Sequence, residues 1–260
     1  LNTDGGTAVG RPMEVLQGGG TSSAAFYVKP IRHQLNDASI SPGGGYENNL
    51  FYNPDTGEIV YARSSVPGLV DGTCWGDYLY WNPATPGWDV GSTQIHLGCN
   101  AGASSQGVNA VALGNEAGRS GQGQSSVAIG VNAGTSSQGS SSVALGEEAG
   151  KVNQGQVSVA IGVYAGTSSQ GASSVAIGAS SGLSGQGTSS VAVGAGAGQN
   201  VQGEYSVAVG FSSGENGQGN SAVAVGTSAG RISQGNDSVA IGNNAGTSNQ
   251  GAKSLSVGNY

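Results

Sequence analysis

The sequence predicts an all-β protein in which a parallel β-roll, or solenoid, of about ten 16-residue coils follows a small domain rich in β-hairpins. The phrase G-x-x-x-Q-G-x-x-S-V-A-[ILV]-G-x-x-A recurs ten times from Gly102 onward. A short fixed period is typical of units that bury their apolar side only by stacking on one another. Eleven of the fifteen aromatic residues precede residue 95, and no helical period of useful length occurs. We therefore divide the chain into residues 1–20, 21–94 and 95–260.

The composition excludes several classes of function. Glycine contributes 50 of the 260 residues, and charged residues make up only 9%. The eight Lys and Arg residues are scattered and the net charge is −7, so we expect no nucleic-acid binding. No run approaches the roughly 20 apolar residues of a membrane-spanning helix, so we expect no membrane insertion. Because the chain begins at Leu1 without a hydrophobic leader, we interpret it as a processed product or a fragment.

The first two segments differ in character. Residues 1–20 are glycine-rich around an apolar patch at Met13, Val15 and Leu16, which is typical of an arm or of a strand that needs a partner. Within 21–94, residues 50–52 and 59–61 flank a turn that contains Pro54 and Gly57, and residues 78–81 and 88–90 flank a second turn. Both patterns predict β-hairpins. The repeat begins at Ile95, so we expect the β domain to lead directly into the first coil.

Within each coil, Ser-Val-Ala-Ile is predicted to be a strand with two different faces. In one coil Val127 and Ile129 point one way, and Ser126 and Ala128 point the other. We expect the aliphatic residues to form the inner core and the repeated glycines to form the corners. The small residues then make an outer face that another chain can approach closely, which predicts an interface between subunits. A flat surface covered by solvent is the alternative.

A glutamine occupies the same place in every coil. Stacked amides can hydrogen-bond along a ladder or close the neighbouring glycine corner. A row of ligand-binding amides is the alternative, but a residue that every coil requires is more simply structural. The ten glutamines are Gln106, Gln122, Gln138, Gln154, Gln170, Gln186, Gln202, Gln218, Gln234 and Gln250.

Residues suited to catalysis are scarce. The two histidines, His33 and His96, have no nucleophile setting beside them, so we predict no enzymatic activity and assign no catalytic residue. Acidic pairs do not recur from coil to coil, and no phosphate-binding loop occurs, so we predict neither a metal site nor a cofactor. Cys74 and Cys99 leave two alternatives open, one intrachain disulfide or two thiols.

Contacts with other molecules are expected where the repeat varies. Three aromatic residues of the repeat lie in variable positions and are candidate contacts, Tyr164, Tyr205 and Phe211; solitary exposed aromatic side chains are the alternative. In the preceding domain, Trp75, Tyr80, Trp81 and Trp88 could form a surface that stacks on carbohydrate, and the core of a small domain explains them equally well.

The Ser-Val-Ala-Ile-Gly core followed by a small residue, over residues 95–260, resembles the head repeats of trimeric autotransporter adhesins, the YadA-like or haemagglutinin-type repeats. Similar repeats occur in fibre and surface proteins of large DNA viruses. The resemblance implies left-handed parallel β-rolls, three chains packed side by side, and binding to host surfaces or matrix. The segment 51–58 looks more like viral or phage fibre modules.

We therefore expect a non-enzymatic fibre or adhesin subunit that is extracellular, on a cell surface or on a virion surface. A homotrimer would bind a host-surface glycan or protein through many weak contacts. The alternative is a purely structural subunit that joins end to end into a filament, with residues 1–20 adding a strand to a neighbour. An ice-binding solenoid is disfavoured, because Thr135, Thr167 and Thr247 do not form an unbroken rank.

Overall fold

The computed structural model describes the backbone of residues 48–53 and 58–63 and all atoms of residues 74–259. The predicted arm at residues 1–20, the first hairpin's turn and His33 lie outside these residues. The chain divides into two compact units, residues 1–90 and 91–260. None of the described residues is helical, and the all-β prediction is confirmed.

Both predicted hairpins are present in the first unit. Strand β1 (Asn48–Asn53) pairs antiparallel with β2 (Glu58–Arg63), and β3 (Leu79–Asn82) pairs antiparallel with β4 (Gly87–Val90). In the second hairpin, the Asn82 side-chain oxygen accepts a bond from the Ala84 amide at 3.0 Å, and its Nδ2 donates to Asp89 at 2.7 Å. These bonds join the turn to the returning strand.

The second unit is a parallel β-solenoid, as the repeat predicts. Its strands are β5 (Ile95–Leu97), β6 (Val111–Leu113), β7 (Ser120–Gln122), β8 (Val127–Ile129), β9 (Ser136–Gln138), β10 (Val143–Leu145), β11 (Val152–Gln154), β12 (Val159–Ile161), β13 (Ser168–Gln170), β14 (Val175–Ile177), β15 (Ser184–Gln186), β16 (Val191–Val193), β17 (Asn200–Gln202), β18 (Val207–Val209), β19 (Asn216–Gln218), β20 (Val223–Val225), β21 (Ile232–Gln234), β22 (Val239–Ile241) and β23 (Leu255–Val257).

These strands form two parallel sheets that share the coils. The aliphatic sheet has 11 strands, β5, β6 and the even-numbered strands from β8 to β22, followed by β23; the glutamine sheet has 8, the odd-numbered strands from β7 to β21. Pairing is in register, so that Val143 lies between Val127 and Val159. Sixteen-residue spacing therefore stacks each residue on its counterpart in the next coil.

The core of the solenoid is alanine, serine and glutamine, and the predicted aliphatic core is wrong. In the strand of one coil, Ala128 is fully buried, whereas Val127 and Ile129 on the other face are only half-buried. The alternation of the two faces was predicted correctly, but the face predicted to lie inside is the outer face, and the reverse. The predicted interface made of small residues is wrong for the same reason, since Ser126 and Ala128 are both 0% exposed and face the interior.

Glycine spacing explains why only small side chains fit inside. At Gly166, which has a φ of +54°, an added Cβ would lie 2.8 Å from Oε1 of Gln170 and 3.2 Å from Cβ of Ala160. The two sheets are thus so close that an alanine methyl already fills the gap. A valine there would have no room, and overpacking of this kind is destabilising.

The row of glycines that follows the glutamines is required because successive coils approach closely there, and not because of its backbone angles. Gly171 has no positive φ, yet an added Cβ would lie 2.5 Å from the carbonyl carbon of Gly187 in the next coil. The prediction that all repeated glycines supply special corner angles is therefore wrong for this row. Here glycine lets successive coils hydrogen-bond, as in the 2.8 Å bond from the Gly171 amide to the Gln186 carbonyl.

Two glycine substitutions separate these causes. We expect Gly171→Ala to destabilise the chain by about 3 kcal/mol or more, because backbone must move to admit the methyl group. Gly185→Ala should cost only about 1–2 kcal/mol, because Gly185 has a φ of +71° but its nearest neighbour to an added Cβ is 3.8 Å away. Denaturant unfolding followed by circular dichroism measures both. A larger loss for Gly185→Ala would contradict this account.

Candidate functional site: an outward aliphatic face

The outer surface of the aliphatic sheet carries two continuous rows of large aliphatic side chains, which we call the aliphatic face. Every one of its 22 positions is Val, Ile or Leu. Eight of these side chains are exposed, among them Ile177 at 37%, Leu145 at 41% and Ile241 at 43%, and the other 14 are half-buried. The rows are Ile95, Val111, Val127, Val143, Val159, Val175, Val191, Val207, Val223, Val239 and Leu255, and Leu97, Leu113, Ile129, Leu145, Ile161, Ile177, Val193, Val209, Val225, Ile241 and Val257.

The dimensions of this face match a protein interface. Eleven strands spaced about 4.8 Å apart give a length of about 48 Å. With its flanks the face is roughly 20 Å wide, so it covers on the order of 1,000 Å², compared with about 800 Å² per partner in a standard interface. Sequence reasoning missed this site because it placed the bulky residues inside. The signal was present in the invariant small residues, which leave no interior volume for valine.

Charged side chains are segregated from the aliphatic face. Three ion pairs lie in or beside the turn that follows each aliphatic strand: Glu116–Arg119 at 3.2 Å, Glu148–Lys151 at 3.0 Å and Glu215–Arg231 at 2.7 Å. Exposed pairs of this kind contribute little to stability. Their placement leaves all 22 positions of the aliphatic face uncharged, and the charges nearest to them along the chain are Glu147, Asp237 and Lys253, two residues from a strand.

The variable positions form two flank rows beside the aliphatic face. The pre-strand row lies two residues before each aliphatic strand, and the post-strand row lies two residues after it. Tyr205 is in the pre-strand row and Phe211 in the post-strand row of the same coil, 62% and 61% exposed, on either side of β18. Tyr164, 40% exposed, lies one residue beyond the post-strand row, next to Val163. The structure thus groups two of the three predicted contact residues around one strand and places the third elsewhere.

The tryptophans of the second hairpin are exposed. Trp81 and Trp88 are cross-strand neighbours whose rings meet edge to face at 5.8 Å, with 54% and 49% exposure, and Trp75 is fully exposed. On the other face, partial burial raises the pKa of the Tyr80 phenol above its usual value, and the charges of Asp89 and Tyr78 add to this. Tyr80 is therefore neutral at physiological pH and can donate or accept a hydrogen bond.

The glutamines form a column inside the solenoid. Each one from Gln122 to Gln234 is at most 3% exposed and donates its Nε2 across the coil to the carbonyl of a valine eleven residues earlier, at 2.7–2.8 Å. Two also donate to the next glutamine, Gln202 to Gln218 and Gln218 to Gln234, both at 3.2 Å. The bond across the coil was not foreseen; it ties the glutamine sheet to the aliphatic sheet.

The first coil replaces the buried alanine with His96. Its Nδ1 lies 3.2 Å from Oε1 of Gln106, and Gln106 Nε2 donates to the Ile95 carbonyl at 2.9 Å. The imidazole therefore joins the glutamine column, in a structural role. Cys74 and Cys99 are both exposed, and no disulfide joins them to each other.

Few groups in the described part of the chain are suited to chemistry. No cluster of three or more His, Cys, Asp or Glu residues that could hold a metal ion occurs among residues 74–259. A groove of about 520 Å³ near the first coils is lined by hydroxyl groups and by Arg119. In the part of the chain that the structure describes, no helix has the length and hydrophobicity to cross a membrane.

Comparisons with known proteins found no relative of this chain. No family model matches the chain, and no curated protein and no solved structure is significantly similar to it.

The glutamine column predicts a pH-dependent variant. In Gln170→Glu, burial should raise the carboxyl pKa in the folded state above its unfolded value of about 4.3. Below about pH 4 the protonated carboxyl can donate to the Val159 carbonyl as the amide does, so stability should lie close to that of the native chain; it should fall as the pH rises, by about 3 kcal/mol at pH 7. Urea unfolding at several pH values measures this effect.

Two variants serve as controls for that measurement. Gln170→Met should lose stability equally at every pH, and Gln156→Glu, at an exposed position, should behave like the native chain. A Gln170→Glu chain whose stability did not depend on pH would show that the column is accessible to water.

Proposed function

We propose that this chain is a non-enzymatic subunit of an extracellular, cell-surface or virion-surface fibre, which assembles as a homotrimer through its aliphatic face and binds host surfaces multivalently. The aliphatic face carries the proposal. A charge-free apolar strip about 48 Å long is not typical of a monomeric soluble protein, in which large exposed patches mark interaction sites.

The energetics of one coil support assembly. Each coil buries three small side chains, one before the strand that is mostly serine, and one in the strand and one in the turn that are mostly alanine; a buried methyl group contributes about 0.8 kcal/mol. Ordering sixteen residues costs far more, since each backbone position alone costs about 1–2 kcal/mol. Hydrogen bonds between coils and the glutamine column offset part of this. The valine, isoleucine and leucine side chains of the aliphatic face are already partly buried in a single chain, so covering them adds about 1 kcal/mol for each.

A homotrimer accounts for the shape of the face. Because the coils stack in register, the strip presents the same residue positions at every coil, and a second copy running parallel can cover it along its length. Closed cyclic symmetry leaves no exposed copy of the strip, whereas a heterologous contact that does not close would propagate into open fibres. The resemblance to adhesin head repeats favours three chains.

Ligand binding is assigned to the second hairpin. Trp81 and Trp88 present two exposed rings as neighbours on one face of the hairpin, and Asn82 and Asp89 lie on the opposite face. Exposed aromatic rings suit the apolar face of a sugar ring. Three copies of a weak glycan site on one fibre would bind a cell surface by avidity.

Assembly is tested by making the aliphatic face polar without changing its shape. The native chain should have a mass by light scattering of three times 25.3 kDa. Replacing Val143, Val159, Val175 and Val191 by Thr keeps β-branching, so the coils should still form, but the trimer should dissociate to monomers or weaken at least about tenfold.

The matched control replaces exposed serines of the other surface, Ser137, Ser169 and Ser233, by Asp, which should leave the trimer intact. A native chain that stays monomeric at high concentration would contradict the assembly. For the binding role, glycan-array and cell-binding signals should be lost in a trimeric Trp81→Ala, Trp88→Ala chain. A trimer that binds neither glycans nor cells would instead favour the purely structural filament.

A further inference from the structure

We infer that neighbouring subunits meet edge to edge at the same level, with the pre-strand row of one chain in contact with the post-strand row of the next. This inference rests on the proposed assembly and specifies its register and its contacting edges. The evidence is a correspondence between the two flank rows of each coil.

The two rows carry residues of similar size in seven of the ten coils. The coil pairs, pre-strand residue first, are Asn109 and Asn115, Ser125 and Val131, Ser141 and Glu147, Val157 and Val163, Ser173 and Ala179, Ser189 and Ala195, Tyr205 and Phe211, Ser221 and Thr227, Asp237 and Asn243, and Lys253 and Asn259. Each row contains one aromatic residue, and both lie in one coil. The single valine of the pre-strand row is likewise opposite a valine. Three coils depart from the pattern: Ser125 and Ser141 are small residues that a larger partner can cover, and Lys253 is opposite Asn259.

Contacts within one chain do not explain this correspondence. Tyr205 and Phe211 are separated by β18, whose three extended residues alone span about 7 Å, and they project at its two ends. Along its own row Tyr205 has only Ser189 and Ser221 as neighbours. Each aromatic ring is therefore about three-fifths exposed on its own chain.

Backbone strain indicates that the large pre-strand residues are retained for a contact. Val157 has a φ of +55° and Tyr205 a φ of +57°. Serine occupies this position in five of the ten coils. A β-branched or bulky residue in the left-handed region is rare and costs of order 1–3 kcal/mol unless its surroundings compensate. In a single chain, the 3.0 Å bond from the Val157 amide to the Ser140 carbonyl holds this backbone, but the valine side chain is 62% exposed and gains little burial.

Parallel cyclic packing brings the matched residues together. When copies are related by rotation about an axis along the solenoid, each coil lies level with its counterpart, and the leading edge of one chain faces the trailing edge of the next. Tyr205 then packs on Phe211 of a second copy, and Val157 packs on Val163 of a second copy. An antiparallel pair would place different coils opposite each other and would not require matching within a coil.

Disulfide trapping tests this arrangement in the full-length chain with Cys74→Ser and Cys99→Ser. Tyr205→Cys with Phe211→Cys, and separately Val157→Cys with Val163→Cys, should give covalent trimers on oxidation with diamide, because disulfides form only when Cα atoms approach within about 7 Å. Each single variant should stay uncrosslinked. Co-expressed single variants should stop at covalent dimers.

The register control combines Val157→Cys with Phe211→Cys, which are three coils apart, about 14 Å along the axis, and should give no crosslink. Light scattering of the same samples before oxidation separates the two proposals. A trimer in which neither matched pair crosslinks, or in which single variants crosslink, would overturn the edge-to-edge pairing alone. A monomer would overturn the proposed assembly itself, and covalent dimers as the largest product would support the pairing with two chains in place of three.

Discussion

The close approach of backbones is the constraint on which the rest of this structure depends. Successive coils come so near at the glycine after each glutamine that an added Cβ would lie about 2.5 Å from the next coil's backbone. The two sheets are also close together, and the space between them holds little more than an alanine methyl and a glutamine amide. Volume, not hydrophobicity, therefore decides which residues are inside, because protein interiors tolerate neither overlap nor voids.

The hydrophobic effect then acts on the outside of the coil. A solenoid whose buried apolar groups are mainly alanine methyls has a small core with which to offset the conformational entropy lost on folding. Its valines and isoleucines remain partly in water unless another surface covers them. The glutamine column compensates in part, since each buried amide joins the two sheets through the carbonyl of a valine. The two faces of one strand thus differ in role: Ala176 packs inside the coil, and Val175 lies on the outer face through which we propose assembly.

Much of the fold follows from the sequence by periodicity alone. The strands, the in-register stacking, both hairpins and the start of the solenoid at Ile95 were all predicted from spacing, because a strict repeat leaves one consistent pairing. The direction in which Val127 and Ala128 point was predicted wrongly. Alternation allows either residue to face the interior, and the usual preference for large apolar residues inside favours the wrong choice. Coil width decides between them, and it depends on contacts such as Gly166 against Gln170, which no local pattern reveals. The aliphatic face was missed for the same reason, because its side chains were predicted to lie inside. The aromatic residues Tyr205 and Phe211 were found because they occupy variable positions of the repeat.

The most direct test compares neighbouring residues of one strand by thiol labelling, in chains with Cys74→Ser and Cys99→Ser. For Val175→Cys, the rate of reaction with a maleimide should fall as the chain concentration rises, because the thiol is exposed on the single chain and covered in the assembly. For Ala176→Cys, the thiol should be protected at every concentration at which the chain stays folded. A thiol at residue 176 that reacts as fast as one at residue 175, or protection at 175 that does not depend on concentration, would contradict the account.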